Sequence, residues 1–277
     1  MAQLVGAYGV PHTPAFPRLV DLGIGPADQI AEFYSLVRAS VSEAKPDVIV
    51  VLADDHINTF FLDNFPALAV GVDDESWGPN DGTEGLAPRS IRTHRGMALH
   101  LLESLTGSGF ELAQSQRFSM DHAMVVPLHF LDPEGAAAMV PLWINELVPP
   151  IPTAQRAYAL GRSLRQAIDA FPGSLRVAVV ASGSFSLEVG GVHIDPNSNY
   201  GVPDPEWTST VVEHLRAGRP EELIALATPE RLHRAGNVGG ELLAWLAVWA
   251  LAHGEPPVSI NVQAEFGHAY AIWEVTA

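Results

Sequence analysis

Residues 3–10, QLVGAYGV, and residues 47–53, DVIVVLA, are short apolar stretches, rich in valine and bounded by proline or aspartate. Both stretches are typical of buried β-strands. The segment between them predicts a helix, because its apolar residues recur at three- and four-residue spacing: Ile30, Phe33, Tyr34, Val37 and Val41. Strand, helix and strand in this order predict a βαβ unit with two parallel strands.

The rest of the chain continues the alternation of strands and helices. Further strands are predicted at 67–72, 139–144, 176–181, 258–263 and 269–274, and helices at 94–106, 154–171, 206–217 and 239–252. This order predicts an α/β fold, a single domain over residues 1–277 with a mostly parallel or mixed central sheet flanked by helices. The Pro- and Gly-rich stretches 74–90 and 188–206 are expected to form long loops.

Composition narrows the possible functions. The 277 residues include no cysteine, which excludes disulfides, thiolate metal sites and a cysteine nucleophile. The formal net charge of −17, from 15 basic and 32 acidic residues, argues against nucleic acid and anionic lipid as partners. The N-terminal sequence lacks the basic start of a signal peptide, and no apolar run reaches the roughly 18 residues of a membrane span. We therefore expect a cytoplasmic protein without a membrane segment.

Two histidines follow the two strands of the predicted βαβ unit. His12 lies two residues beyond the first strand and His56 three residues beyond the second. Ligands of parallel sheets gather beyond the carboxyl ends of the strands. If the strands are neighbours, about 4.8 Å apart, both imidazoles can reach one cation, with Asp54 and Asp55 as possible hydrogen-bond partners. Alternatively, both histidines are ordinary polar loop residues.

A carboxylate is the expected third ligand if the site resembles the two-histidine, one-carboxylate site of non-haem iron. Glu241 is the best candidate, because it follows Gly239-Gly240 and begins an otherwise apolar helix. A buried charge in that position needs a partner, which a cation could provide, although the helix dipole also tolerates a carboxylate there. Asp55 and Glu265 are alternative ligands, and Glu241 could be a simple helix-start residue.

Two more histidines are candidates for proton transfer. His122 follows Asp121 and precedes an apolar run, so Asp121 could orient the imidazole or raise its pKa. The alternative is that Asp121 and His122 form a surface turn that caps the following element. His193, in the loop GGVHIDPNSNYG, is a second candidate.

Five segments together resemble a known family. They are PHTP around His12, DDHINTFF around His56, MDHAMVVPL around His122, PLWINELVPPIPTAQRAYALGRSL at 141–164 and GNVGGELLAW around Glu241. In order and spacing, from residue 6 to about residue 250, they resemble the class III extradiol ring-cleavage dioxygenases, the family of the protocatechuate 4,5-dioxygenase catalytic subunit.

The resemblance implies a site and a reaction. Fe(II) would be bound by His12, His56 and Glu241, and His122 would assist proton transfer. The substrates would be O2 and a small catechol-like aromatic whose ring is cleaved next to the diol. Members of such a family work as homodimers or with a small partner subunit, so a homo-oligomer is expected. Where substrates carry a carboxylate, Arg89, Arg92 and Arg156 are candidates to bind it.

One segment departs from the family pattern. Where the resemblance leads us to expect Ser-His with an acid/base histidine, the chain has Ser186 followed by Leu187. His122 could then act alone, His193 could take the vacated place, the substrate could need less proton transfer, or catalysis could be lost. Two other functions therefore stay open: a zinc hydrolase using the same three ligands, and a non-catalytic family member.

Overall fold

The secondary structure follows the apolar patterns of the sequence. A computed structural model describes residues 1–189, 200–201 and 204–275. Its strands are β1 (Gln3–Val10), β2 (Val48–Ala53), β3 (Leu68–Gly71), β4 (Glu75–Gly78), β5 (Arg89–Arg92), β6 (Ala113–Ser115), β7 (Ala138–Ile144), β8 (Arg176–Ser182), β9 (Glu188–Val189), β10 (Tyr200–Gly201), β11 (Ser259–Gln263) and β12 (His268–Trp273).

The helices of the described residues lie between these strands. They are α1 (Phe16–Leu22), α2 (Ala27–Ala44), α3 (Arg95–Gly107), α4 (His122–Leu131), α5 (Ala154–Ala170), α6 (Pro205–Ala217), α7 (Pro220–Leu226), α8 (Pro229–Arg234) and α9 (Leu242–Leu251). Short 3-10 turns cover Gly239–Glu241 and Ala264–Phe266. Within the described residues, no helix combines the length and the apolar character needed to cross a membrane.

The central sheet has eight strands in the order β11-β12-β1-β8-β2-β7-β3-β6. Strands β1, β8, β2 and β7 are parallel, whereas β12 is antiparallel to β1 and β3 is antiparallel to β7. The predicted α/β domain with a mixed sheet is therefore confirmed. The two strands of the βαβ unit are not neighbours, however, because β8 pairs with both of them. Since β8 is parallel to both, the carboxyl ends of all three strands still meet at one edge.

Apolar core lies on both faces of this sheet. Strand β2 shows this, because every one of its residues is buried. Val48, Val50 and Leu52 face one apolar cluster, which includes buried residues of α5 and α9. Ile49, Val51 and Ala53 face the other, which includes residues of α2 and α4. Helix α9 is apolar on all sides because it is buried throughout, packed on α5 and on strands β1 and β8.

The contact between α5 and α9 depends on a glycine. A Cβ atom at Gly161 would lie 1.8 Å from the carbonyl oxygen of Ala247. Only glycine therefore permits this approach of the two helix backbones. Because α9 begins directly after Glu241, this packing also fixes the position of that residue at the edge of the sheet.

The predicted loops are partly ordered as strands. The stretch 74–90, expected to be a loop, contains β4 and the start of β5, which pair as an antiparallel two-stranded sheet. In the stretch 188–206, β9 and β10 pair in the same way. The first of these segments also contains Asp81, between β4 and β5.

Candidate metal centre and active site

His12 is held at the end of β1 in one tautomer. Its Nδ1 lies 2.9 Å from the Ser182 hydroxyl at the end of β8. That hydroxyl donates its single hydrogen to the Ala123 carbonyl, 2.7 Å away. It can therefore only accept from His12, so Nδ1 of His12 carries the proton. The Nε2 of the neutral ring then keeps a free lone pair.

Asp121 orients His56 as Ser182 orients His12, by a hydrogen bond to Nδ1. The Oδ2 atom of Asp121 accepts hydrogen bonds from the backbone N–H of His56, at 2.8 Å, and from its Nδ1, at 3.1 Å. The other oxygen of Asp121 accepts from the Ala123 N–H and caps α4. Nε2 of His56 is thus the atom available for a ligand. The expectation that Asp121 orients His122 is wrong, because its carboxylate is turned to His56.

Glu241 reaches the two histidines from the turn that precedes α9. Its Oε2 accepts a hydrogen bond from the backbone N–H of Ser184, so Oε1 is the free oxygen. Oε1 lies 3.3 Å from Nε2 of His12 and 3.9 Å from Nε2 of His56. The turn closely approaches the segment that follows β7, since a Cβ atom at Gly240 would lie 1.9 Å from the Glu146 carbonyl oxygen.

These three donor atoms have the spacing of ligands around one ion. Donors bound at about 2.0–2.2 Å from a common metal lie roughly 3.0–4.3 Å from each other. The two distances from Glu241 to the histidines fall in this range. A fourth residue, Asp54, belongs to the same cluster, whose donor atoms all lie within 4.8 Å of one another. The donor set of imidazole nitrogens and carboxylate oxygens fits Fe(II), and also zinc.

The electrostatics of the cluster favour a bound cation. Burial lowers the pKa of His12 to about 4. Burial would also lower the pKa of His56, but the charges of Asp54 and Asp121 outweigh it and raise that pKa to about 10. Burial raises the pKa of Asp54 to about 6 and that of Glu241 to about 7. A positive charge at Nε2 of His56 is thus stabilised by the surrounding carboxyl groups, and a metal ion would replace the proton there.

His122 lies beside the two histidines, as the first residue of α4. Its ring centroid is 4.2 Å from that of His56 and 5.4 Å from that of His12. Nδ1 of His122 donates to the carboxylate of Asp81, which also accepts from the Thr83 hydroxyl at 2.6 Å. Burial lowers the pKa of His122, so its imidazole is neutral near pH 7 with Nε2 free.

A cavity of about 600 Å³ gives access to His122. One wall comes from α1 and its flanks, with Arg18, Leu19 and Leu22, and the other from residues 81–84. The cavity is large enough for a single aromatic ring with a side chain, because ligand pockets typically measure ~300–1,000 Å³.

Several predicted residues lie elsewhere. The carboxylate of Asp55 accepts from the backbone N–H groups of residues 58–60 and stabilises its own loop, and Glu265 is exposed. His193 lies outside the described residues. The guanidinium groups of three arginines donate to backbone carbonyls away from the cluster: Arg89, Arg92 and Arg156.

The sequence reasoning missed three partners of the site. Ser182 could have been predicted from the sequence. It is the last residue of β8, so it lies at the same edge of the sheet as His12, which follows β1. Asp81 lies 41 residues from His122 in a segment without any recognisable pattern, so no sequence signal identified it. His268 is buried, and its Nε2 lies 3.1 Å from the hydroxyl of Thr13, next to His12. Leu187 is also buried, and its carbonyl accepts from the Val238 N–H.

Comparison with known proteins identifies the family of the chain. The family model described as the catalytic LigB subunit of aromatic ring-opening dioxygenase matches residues 6–275. The chain is 32% identical over 169 residues to a gallate dioxygenase of Pseudomonas putida, covering 59% of the chain and 48% of that protein. It is also 32% identical over 212 residues to a 2,3-dihydroxyphenylpropionate/2,3-dihydroxicinnamic acid 1,2-dioxygenase of Photorhabdus laumondii, covering 75% of the chain and 61% of that protein.

Other relatives match over a larger share of both chains. A 2,3-dihydroxyphenylpropionate/2,3-dihydroxicinnamic acid 1,2-dioxygenase of Klebsiella pneumoniae is 25% identical, with 86% of each chain covered. The crystal structure of the uncharacterized protein JW3007 from Escherichia coli K12 shares the fold, with a TM-score of 0.57 and 16% identity over 98% of this chain and 100% of that one. The chain matches between about half and two thirds of the length of the first two relatives. Since the family model covers nearly the whole sequence, the chain belongs to the LigB family of aromatic ring-opening dioxygenases.

Proposed function

We propose that this protein is an Fe(II)-dependent extradiol-type dioxygenase, which opens the ring of a catechol-like aromatic with O2. The observation that supports it most is the convergence of three donor atoms, Nε2 of the buried His12, Nε2 of the partly buried His56 and Oε1 of the buried Glu241. Each residue uses its other polar atom in a hydrogen bond, so each can present a lone pair to the same point. Its relatives are named as dioxygenases of gallate and of dihydroxyphenylpropionate.

In this proposal His12, His56 and Glu241 hold the metal. A non-haem Fe(II) ion bound by three such residues supplies open positions for a diol and for O2. Ser182, Asp121 and the backbone N–H of Ser184 fix the direction of the three ligand atoms.

His122 is proposed to handle the proton. Its buried, neutral imidazole can accept the proton of a substrate hydroxyl at Nε2 and return it later in the reaction. Asp81 holds the tautomer in which Nε2 is the basic atom. Since Leu187 is apolar, His122 is the described residue of this cluster best placed for acid/base chemistry. We propose His193, which lies outside the described residues, as the second candidate.

Iron loading with a substrate panel tests the proposal. Metal-free protein is reconstituted anaerobically with Fe(II), and O2 uptake and near-ultraviolet absorbance are followed with catechols, gallate and aminophenols. We expect O2 uptake and a new absorbance band with at least one compound, both lost on iron chelation and restored by Fe(II). Tight zinc binding with hydrolytic activity and no O2 uptake would instead favour a hydrolase. Failure to bind any metal would favour a non-catalytic family member.

Replacing His122 by glutamine tests the proton-transfer role. We expect kcat to fall by about 10²–10⁴-fold, the usual contribution of general acid–base catalysis. Iron content should stay at the wild-type level, because His122 is not among the three proposed ligands. Asp81→Asn is the companion variant, which keeps the histidine but removes its charged partner, and it should show a smaller loss of kcat. Unchanged turnover in His122→Gln, measured at saturating substrate, would contradict the assignment.

We propose one catalytic domain over residues 1–277, a cytoplasmic location, and a homo-oligomer or an assembly with a small partner subunit.

A further inference from the structure

Asp54 follows β2 directly and is 1% exposed. Neither of its carboxylate oxygens has a hydrogen-bond partner among the described residues. Its neighbour Asp55 differs, since that carboxylate accepts from the backbone N–H groups of its own loop. The loop therefore explains Asp55 but gives no reason for a carboxyl group at position 54.

The side chain of Asp54 points into the cluster of proposed ligands. Its Oδ2 lies 3.6 Å from Nε2 of His56, and a donor oxygen of Asp54 lies within 4.8 Å of the donor atoms of His12, His56 and Glu241. At 3.6 Å the contact is too long for a hydrogen bond, whether Nδ1 or Nε2 of His56 carries the proton. It is within the spacing of two donors on one ion.

A buried carboxylate without hydrogen bonds is costly. Removing its charge from water is unfavourable unless a cation or hydrogen-bond donors compensate. Within the described residues, the only ion-pair contact of Asp54 is the long one to His56, and no lysine or arginine approaches it. The cation that His12, His56 and Glu241 are proposed to hold is the compensation that the geometry offers.

We propose that Asp54 is a fourth protein ligand of this metal ion. The inference rests on the proposed three-residue site and extends it. A six-coordinate ion held by four protein donors would keep two open positions, whereas three donors would leave three. Asp54 would therefore occupy one of the positions that the proposed diol and O2 would otherwise share.

Metal titration of Asp54→Asn tests this ligand without relying on activity. Co²⁺ and Mn²⁺ affinities are measured anaerobically on wild type, Asp54→Asn and Glu146→Gln. Glu146 is the matched control, because it is a buried carboxyl near Asp54 and Glu241 but outside the ligand cluster. We expect Asp54→Asn to bind at least about tenfold more weakly, while Glu146→Gln binds within a few-fold of wild type.

A count of metal-bound water separates ligation from a charge effect. In the Mn²⁺-loaded protein, electron paramagnetic resonance with ¹⁷O-water should show one more bound water in Asp54→Ala than in wild type, because alanine, unlike asparagine, offers no oxygen to the ion. Equal water counts in the two folded proteins would overturn the proposal even if affinity falls. Equal affinities would overturn it as well. Absence of metal binding in wild type would overturn the three-residue site itself, and with it the role of Asp54.

Discussion

Replacing Glu241 by glutamine is expected to lower the Fe(II) affinity of the protein by at least about 100-fold and to abolish O2 uptake. Loss of a partner that merely orients a ligand commonly costs about 10–100-fold in metal affinity, and Glu241 is proposed to contact the metal itself. The amide keeps the shape of the side chain, and its oxygen can still accept from the Ser184 N–H. Anaerobic titration and iron content after desalting measure the effect.

The control for Glu241→Gln is again Glu146→Gln, another buried carboxyl changed to an amide. Oε1 of Glu146 accepts from the Ala244 N–H, which a glutamine oxygen can also do. We expect iron binding and O2 uptake of the control to stay close to wild type. Wild-type iron affinity in Glu241→Gln, with an unchanged circular dichroism spectrum, would refute the role of Glu241 as a ligand.

Gly161→Ala is expected to destabilise the fold by about 3 kcal/mol or more. The new Cβ would lie 1.8 Å from the Ala247 carbonyl oxygen, a backbone atom that no side-chain rotation can move away. Helices α5 and α9 must therefore separate, and overpacking of this kind commonly costs about 1–3 kcal/mol and occasionally more. For a chain of this size the melting temperature should fall by roughly 6–12 °C. Differential scanning calorimetry of metal-free protein measures it.

Gly107→Ala is the matched control for the helix glycine. Gly107 is the last residue of α3, and a Cβ atom there would meet nothing within 4 Å. Alanine should be neutral or stabilising by up to about 1 kcal/mol, because it lowers the entropy of the unfolded chain. A melting temperature of Gly161→Ala equal to that of Gly107→Ala would show that α5 and α9 can separate without cost.

The sequence predicted the elements better than their arrangement. Apolar periodicity identified β1, α2 and β2, because buried faces must repeat with the period of their element. From the positions of His12 and His56 after two parallel strands and of Glu241 before an apolar helix, the sequence predicted that these residues lie together, and their donor atoms lie within 4.8 Å of one another. Their role as metal ligands stays a prediction. The insertion of β8 between β1 and β2 was not predictable, since it depends on pairing between residues far apart in the chain.

The hydrogen-bond partners of the histidines were also beyond the sequence. Asp121 is adjacent to His122 in the chain but bonds to His56, 65 residues away. The carboxylate that bonds to His122 is instead that of Asp81, which lies in a segment expected to form a long loop. Neighbours in sequence point in different directions at the start of a helix, so chain proximity gave the wrong pairing.

Asp121 joins two functions in one carboxylate. One oxygen holds His56, and the other caps the helix that begins with His122. A metal that fixes His56 therefore also favours the ordered first turn of α4. Linkage is reciprocal, so if the proposed metal tightens the binding of a substrate at His122 through this carboxylate, that substrate would tighten metal binding by the same factor. Asp121 would then couple the two halves of the proposed active site without being one of the proposed metal ligands.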